Sequence, residues 1–155
     1  MRALVQRVSS ASVSIGGEDV GRIGRGMLIL LGIRTTDTER ELEWMVHKCA
    51  GLRIFDDGQG RMNLSLKEIR GAVLVVSQFT LYGDAHKGFR PGFTEAARPD
   101  LAIPLYERFL KELAAQEIPV QCGRFGADMQ VSLVNDGPVT ILLEREAGDS
   151  GPRGS

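Results

Sequence analysis

The chain has 155 residues, 43% of them hydrophobic and 25% charged. That is one domain's worth of sequence with an ordinary globular composition, which excludes wholesale disorder. Lys+Arg 19 against Asp+Glu 20 give a net charge of -1, which excludes a polyanion binder acting through bulk charge and makes any nucleic-acid contact a local one. Cys49, Cys122, His47 and His86 are the only cysteines and histidines. They make neither a disulfide framework nor a zinc-type ligand spacing, so no metal and no cofactor is expected. No secretory leader pattern opens the sequence, and the longest apolar run, residues 27–31, is far too short to span a bilayer. A reduced cytoplasmic compartment is the expectation.

Residues 3–15 carry β-branched Val5, Val8, Val13 and Ile15 and read as a strand. Gly16-Gly17 signals a tight turn into a second strand over 20–23, and the apolar run 27–33 reads as a strand buried on both faces. Leu42, Met45, Val46 and Cys49 recur at helical spacing, with Thr38 and Glu41 at capping-box spacing and Gly51 where a C-terminal glycine belongs, so 38–50 is a helix. Cys49 lies on its apolar face and reads as a core thiol. A short strand is expected at 52–55, and Asp56-Asp57-Gly58-Gln59-Gly60 reads as a plain turn, since it lacks the regular oxygen ligands of a calcium loop. Residues 72–81 read as a buried strand and 82–99 as a long irregular stretch, a length uncommon unless functional. Ala102, Tyr106, Phe109, Leu110 and Leu113 mark a second amphipathic helix, ended before Pro119. Strands at 120–122, 130–135 and 139–143 complete the domain, 1–147, and 148–155 reads as a Gly/Ser/Pro-rich tail. The strands do not alternate regularly with helices. The expected fold is therefore an α+β domain, a mixed curved sheet or open barrel with two main helices.

The usual catalytic patterns are missing: no Gly-x-Ser-x-Gly elbow, no P-loop, and only a glycine pair at Gly21-Arg22-Ile23-Gly24. His47 and His86 read as surface residues. Two other segments stand out. Ser77-Gln78-Phe79-Thr80 ends a buried run, where hydroxyl and amide groups can be held rigidly against a polar ligand. Asn135-Asp136-Gly137-Pro138-Val139-Thr140 separates two strands, and by turn chemistry alone it reads as a hairpin, with Gly-Pro as the one cheap place for a cis peptide.

Taken together, Ser77-Gln78-x-Thr80 and Asn135-x-Gly137-Pro138-x-Thr140 resemble the signature motifs of the D-aminoacyl-tRNA deacylases, the D-Tyr-tRNA deacylase family. The flanks agree in order: Arg2-Ala3 through Arg7-Val8, the glycine-bounded run 26–32, Phe55 with Met62-Asn63, Lys87-Gly88 with Arg90-Pro91, and Phe125-Gly126-Ala127 with Met129. The resemblance covers about residues 1–145.

The resemblance implies hydrolysis of the ester joining a D-amino acid, or glycine, to the terminal adenosine of tRNA. It also implies a homodimer with active sites at the subunit interface. Ser77, Gln78, Phe79 and Thr80 would form the catalytic lining, with the Phe79 N–H available to a developing oxyanion. Gly137-Pro138 would be a cis dipeptide whose carbonyls reject an L side chain, held by Arg7, which on its own reads as a surface strand residue. Phe125, Gly126, Ala127 and Met129 would receive the adenosine, although a core Phe and Met is the plainer reading. Lys87 and Arg90 are candidates for phosphate contacts. Two routes to the chemistry stay open: Thr80 as a nucleophile, or water activated with help from the tRNA's own 2′-OH. A non-catalytic binder of the tRNA 3′ end is the alternative from another class.

Overall fold

The computed structural model of the protein describes residues 1–150. Eight strands and two main helices follow in the order β1 (Arg2–Ile15), β2 (Glu18–Ile23), β3 (Gly26–Gly32), α1 (Glu39–Gly51), β4 (Phe55–Asp56), β5 (Met62–Leu64), β6 (Ala72–Ser77), α2 (Pro99–Ala114), β7 (Val120–Cys122) and β8 (Gln130–Glu144). A short 3-10 turn, Phe79–Tyr82, follows β6. Six strands form one mixed sheet ordered β2-β1-β3-β6-β7, with β8 on β1. The long β1 is the spine: its first half pairs with β3, its second half with β2, and β8 runs antiparallel along it from Arg2↔Glu144 to Ser14↔Gln130. The pairs β3–β6 and β6–β7 are parallel and need crossovers, which α1 and α2 supply.

Each face of the sheet has its own core. Ala3, Val5, Met27, Ile29, Leu31, Val73 and Val75 pack against Leu42, Met45 and Cys49 of α1 and Leu105, Tyr106, Phe109 and Leu113 of α2. On the opposite face Val8, Ala11, Val13, Ile23, Leu28, Leu74 and Val76 cluster together. The sheet curls so far that a Cβ on Gly21 of β2 would come within 2.9 Å of the Cys122 carbonyl of β7. The fold is the expected α+β arrangement, a nearly closed curved mixed sheet with two helices. The Met1 ammonium is buried at its edge, 2.7 Å from Asp37 Oδ1.

Helix α1 starts as its sequence dictates. Thr38 is the N-cap, its backbone N–H and hydroxyl donate to Glu41 Oε2 at 2.7 and 2.5 Å, and the capping box is complete. Its end differs from expectation: Gly51 is the last helical residue, and Leu52, extended at φ -62 and ψ 123, terminates the helix. No left-handed glycine is needed because the chain leaves directly in extended form. The short strand expected at 52–55 is instead Phe55–Asp56, paired with an unforeseen partner, Met62–Leu64. Asp57 Oδ1 accepts the Gln59 N–H at 2.8 Å, which makes 57–60 the plain turn expected. Helix α2 begins at Pro99, a favoured first-turn residue, three positions ahead of the first apolar residue that signalled it.

Two corrections bear on function. The strand expected over 72–81 stops at Ser77, where its pairing with β3 ends at Leu31↔Ser77, and the chain then tightens into the 3-10 turn. The hairpin expected at 135–140 does not form. Both flanking strands belong to β8, and both pair with β1. Between Val8↔Asn135 and Gln6↔Thr140, two steps along β1 face five along β8. The four residues between these pairs, 136–139, face Arg7 alone and bulge out of the pairing. The Asn-Asp-Gly turn chemistry is thus used within a strand, because β1 is long enough to pair on both sides of the bulge. Of the expected tail, residues 151–155 lie outside those described. No helix among the described residues is long and apolar enough to cross a membrane.

Candidate active site

Ser77 is the last residue of β6, and Gln78 turns the chain with its N–H donating to the Leu31 carbonyl at 2.8 Å. The 3-10 turn that follows is clamped from β1 and β3. Arg2 Nη1 donates to the Leu81 carbonyl at 2.7 Å, and its guanidinium lies 4.5 Å from the centre of the Tyr82 ring. Gly32 lies beneath the turn: a Cβ there would meet Leu81 Cβ at 3.1 Å and the Gln78 carbonyl at 3.2 Å. Both contacts are tight, so the turn sits this close to β3 because residue 32 has no side chain. As the first residue of a helical turn, Phe79 presents an N–H without a partner inside the turn. The Phe79 side chain is 55% exposed. Thr80 Oγ1 accepts a hydrogen bond from Gln78 Nε2, and among the described residues no histidine or carboxylate bonds to it.

A cavity of about 290 Å³ opens beside this turn, lined by Ser77, Gln78 and Phe79 from one side and by residues 125–129 from the other. The second wall follows β7. Gly123 N–H donates to the Val75 carbonyl at 3.2 Å, Gly126 takes a left-handed φ of 76, and the Phe125 ring packs 6.0 Å from Tyr106 of α2. Residues about fifty positions apart in sequence therefore share one pocket: Ser77, Gln78 and Phe79 with Phe125, Gly126, Ala127 and Met129. Thr80 does not line it.

Gly137, Pro138 and Arg7 form a separate station. The Gly137-Pro138 peptide bond is cis, and Gly137 has a φ of 151. A Cβ on Gly137 would lie 2.7 Å from the Val139 nitrogen, so no other residue fits this backbone unchanged. Asn135 staples the bulge: its Oδ1 accepts the Val139 N–H at 2.7 Å, and its Nδ2 donates to the Val139 carbonyl at 3.2 Å and to Thr140 Oγ1 at 3.0 Å. Arg7, only 9% exposed, donates from Nε to the Asp136 carbonyl and from Nη1 to the Ile54 carbonyl, both at 2.7 Å. It is a buried anchor rather than a surface strand residue. Gly137 and Pro138 are exposed, and neither lines the cavity of their own chain. Lys87 and Arg90 lie on the exposed loop beyond the turn. Among the described residues no group of three or more His, Cys, Asp or Glu could hold a metal ion.

Sequence reasoning missed Arg2, Gly32 and Tyr106. Their roles arise from strand register and helix placement, and only the glycine at the end of an apolar run hinted at a close approach.

The curled sheet and its paired helices are shared with a solved structure described as a probable eukaryotic D-amino acid tRNA deacylase. It is 21% identical with a TM-score of 0.77, covering 92% of this chain and 97% of that one, a likeness of fold. A structure described as the c-Myc DNA unwinding element binding protein is 45% identical with a TM-score of 0.89, covering 95% of this chain and 100% of that one. Relatives named D-aminoacyl-tRNA deacylase include one from Chlorobaculum parvum, 60% identical, and one from Thermotoga petrophila, 57% identical. Each alignment covers 93% of this chain and 97% of the relative. The family model described as D-Tyr-tRNA(Tyr) deacylase matches residues 4–144, and the chain belongs to that family. It is accordingly a hydrolase acting on ester bonds.

Proposed function

We propose that this protein hydrolyses the ester of D-aminoacyl-tRNA, and of glycine mischarged on tRNA, as a homodimer in which each cavity is completed by the partner's Gly137-Pro138 bulge. The observation that carries this is the single pocket shared by Ser77, Gln78 and Phe79 with residues 125–129. The first group suits an acyl ester, and the second suits the flat base of the terminal adenosine, with Phe125 against its face and backbone groups at its edge. The Phe79 N–H, which has no partner inside its turn, is the donor for the oxyanion of the tetrahedral intermediate.

Dimerisation is supported by β8, whose outer edge pairs with no strand among the described residues and whose Val134 and Leu142 are 57% and 51% exposed. The exposed bulge, rigid yet away from its own chain's cavity, suits insertion into a partner's. Its carbonyls would face the substrate Cα, so an L side chain collides with them and a D side chain points away. Glycine also enters, because rejecting a missing side chain needs an interaction that only the side chain makes. Thr80 lacks a neighbouring base, which favours water attacking the carbonyl with help from the tRNA 2′-OH; the C–O bond to the ribose then breaks, and the adenosine oxygen leaves with a proton.

The test is ester loss from D-Tyr-tRNA, L-Tyr-tRNA and Gly-tRNA in parallel with the purified protein. Rapid loss of the D and glycyl esters with the L ester intact is the expected result. Persistence of the D ester at high protein concentration overturns the proposal, and protection of that ester would mark a binder of the 3′ end.

A further inference from the structure

Residues 84–92 form a closed loop that leaves the site's 3-10 turn directly. Asp84 and Gly92 exchange two backbone hydrogen bonds, both at 2.8 Å. Asp84 Oδ1 accepts the His86 N–H at 2.9 Å and stands 2.9 Å from His86 Nδ1. At the base, the Phe93 ring meets Phe79 edge-on at 5.2 Å, so the loop is anchored to a residue that lines the cavity. At the tip, Phe89 is 103% exposed, beyond any other large apolar side chain of the described residues. It lies between Lys87 and Arg90, and neither cation has a carboxylate within salt-bridge distance among the described residues. The only acid of the loop, Asp84, is engaged by His86.

An aromatic face bare to water and flanked by two uncompensated cations matches an unpaired stretch of nucleic acid, where every base offers a face and every linkage a negative charge. A folded protein partner would bring apolar surface to Phe89 but no regular charge for Lys87 and Arg90. We infer that the 84–92 loop binds the unpaired 3′ nucleotides that precede the terminal adenosine, with Phe89 stacked on a base and Lys87 and Arg90 on the adjoining phosphates. This rests on the deacylase reading for the identity of the RNA and extends the site beyond the adenosine. It also gives a near-neutral protein the local contact that its net charge cannot supply.

The test uses binding of uncharged tRNA, and of the same tRNA trimmed of its unpaired 3′ nucleotides, by the full chain and its Phe89→Ala and Lys87→Ala/Arg90→Ala variants. Phe89→Ala should weaken binding of intact tRNA about tenfold and leave binding of the trimmed tRNA unchanged. The double variant should also lower the salt dependence of log Kd by about 1 to 2. Hydrolysis of D-tyrosyl-adenosine, which lacks the upstream nucleotides, should not change in Phe89→Ala. Equal loss on both tRNAs, or no loss on either, overturns the inference. So does a shift of Phe89→Ala towards monomer in native mass measurement, which would assign Phe89 to a subunit contact. A wild type that leaves D-Tyr-tRNA intact, yet loses tRNA affinity on Phe89→Ala, would overturn the deacylase reading and support this one.

Discussion

Arg7 Nε donates to the Asp136 backbone carbonyl at 2.7 Å and so holds the residue that precedes Gly137-Pro138. The same guanidinium donates to the Ile54 carbonyl at 2.7 Å, tying the bulge of β8 to the segment that follows α1. A planar fork bridges two carbonyls in this way, whereas a lysine ammonium is a single point of charge.

Arg7→Lys should therefore keep the charge and lose the geometry. Leaving a buried carbonyl unsatisfied costs about 1–3 kcal/mol, and the bulge should become mobile. In the deacylase assay the preference for D-Tyr-tRNA over L-Tyr-tRNA should fall about tenfold or more, a change of at least ~1.4 kcal/mol in discrimination. Unchanged discrimination with the expected stability loss would show that Arg7 serves the fold alone.

Gly137→Ala places a Cβ 2.7 Å from the Val139 nitrogen and 2.8 Å from its Cγ2, on a backbone with φ 151. Strain of this kind costs about 1–3 kcal/mol. Because the bulge is exposed, the domain should stay folded, with a denaturation midpoint a few degrees lower. The chirality preference should collapse by a larger factor than the stability loss alone would suggest. A variant that loses stability and keeps full selectivity would overturn the assigned role.

Thr80 lies outside the cavity lining, and its hydroxyl accepts from Gln78 Nε2. Thr80→Ala should retain hydrolysis within about a hundredfold of wild type, since an activated Ser, Cys or Thr nucleophile and its base together are commonly worth far more. Single-turnover assays with D-Tyr-tRNA measure this. Complete loss of turnover with tRNA binding intact would restore Thr80 as the nucleophile.

Burial acts most strongly on Glu41 and raises its pKa, but the hydrogen bonds from the Thr38 side chain and backbone outweigh it and hold the carboxyl below its ordinary value of 4.5. A depressed folded-state pKa contributes stability that is present above the unfolded value and is lost as pH falls through the folded one. The stability gap between wild type and Glu41→Gln, followed by urea denaturation, should narrow as pH drops below about 4.5, because Gln preserves the cap without the charge. Thr38→Ala should cost about 1 kcal/mol at neutral pH. A gap that stays constant through the acid range would show that the carboxylate gains nothing from the cap.

Burial pushes the Cys49 thiol up to about 12. At pH 8 its thiolate is then roughly one part in ten thousand, and the thiolate is the reactive form. Cys49 should resist alkylation in the native protein and react only on unfolding, while Cys122, half-buried at the edge strand β7, reacts first. Mass spectrometry of iodoacetamide-treated native protein checks this; rapid native labelling of Cys49 would contradict the packing of α1 on the sheet.

By itself the sequence determined whatever depends on neighbours a few positions apart. The capping box of Thr38 and Glu41 starts α1, the apolar spacing of Leu42, Met45 and Cys49 sets its buried face, and the run at Met27 to Leu31 becomes a doubly covered strand. The two polar motifs also pointed to the family. Tertiary structure decided what long-range pairing imposes. Residues 130–144 are one strand rather than a hairpin because β1 offers a continuous edge on both sides of the bulge. Phe79 lies on a 3-10 turn rather than on β6 because β3 runs out of partners at Gly32. Arg7 is buried because the Ile54 and Asp136 carbonyls, far apart in sequence, converge on it. Local patterns encode dihedral preferences and faces; the shared pocket of Ser77 and Phe125 exists only once the sheet has curled and both strand ends have met.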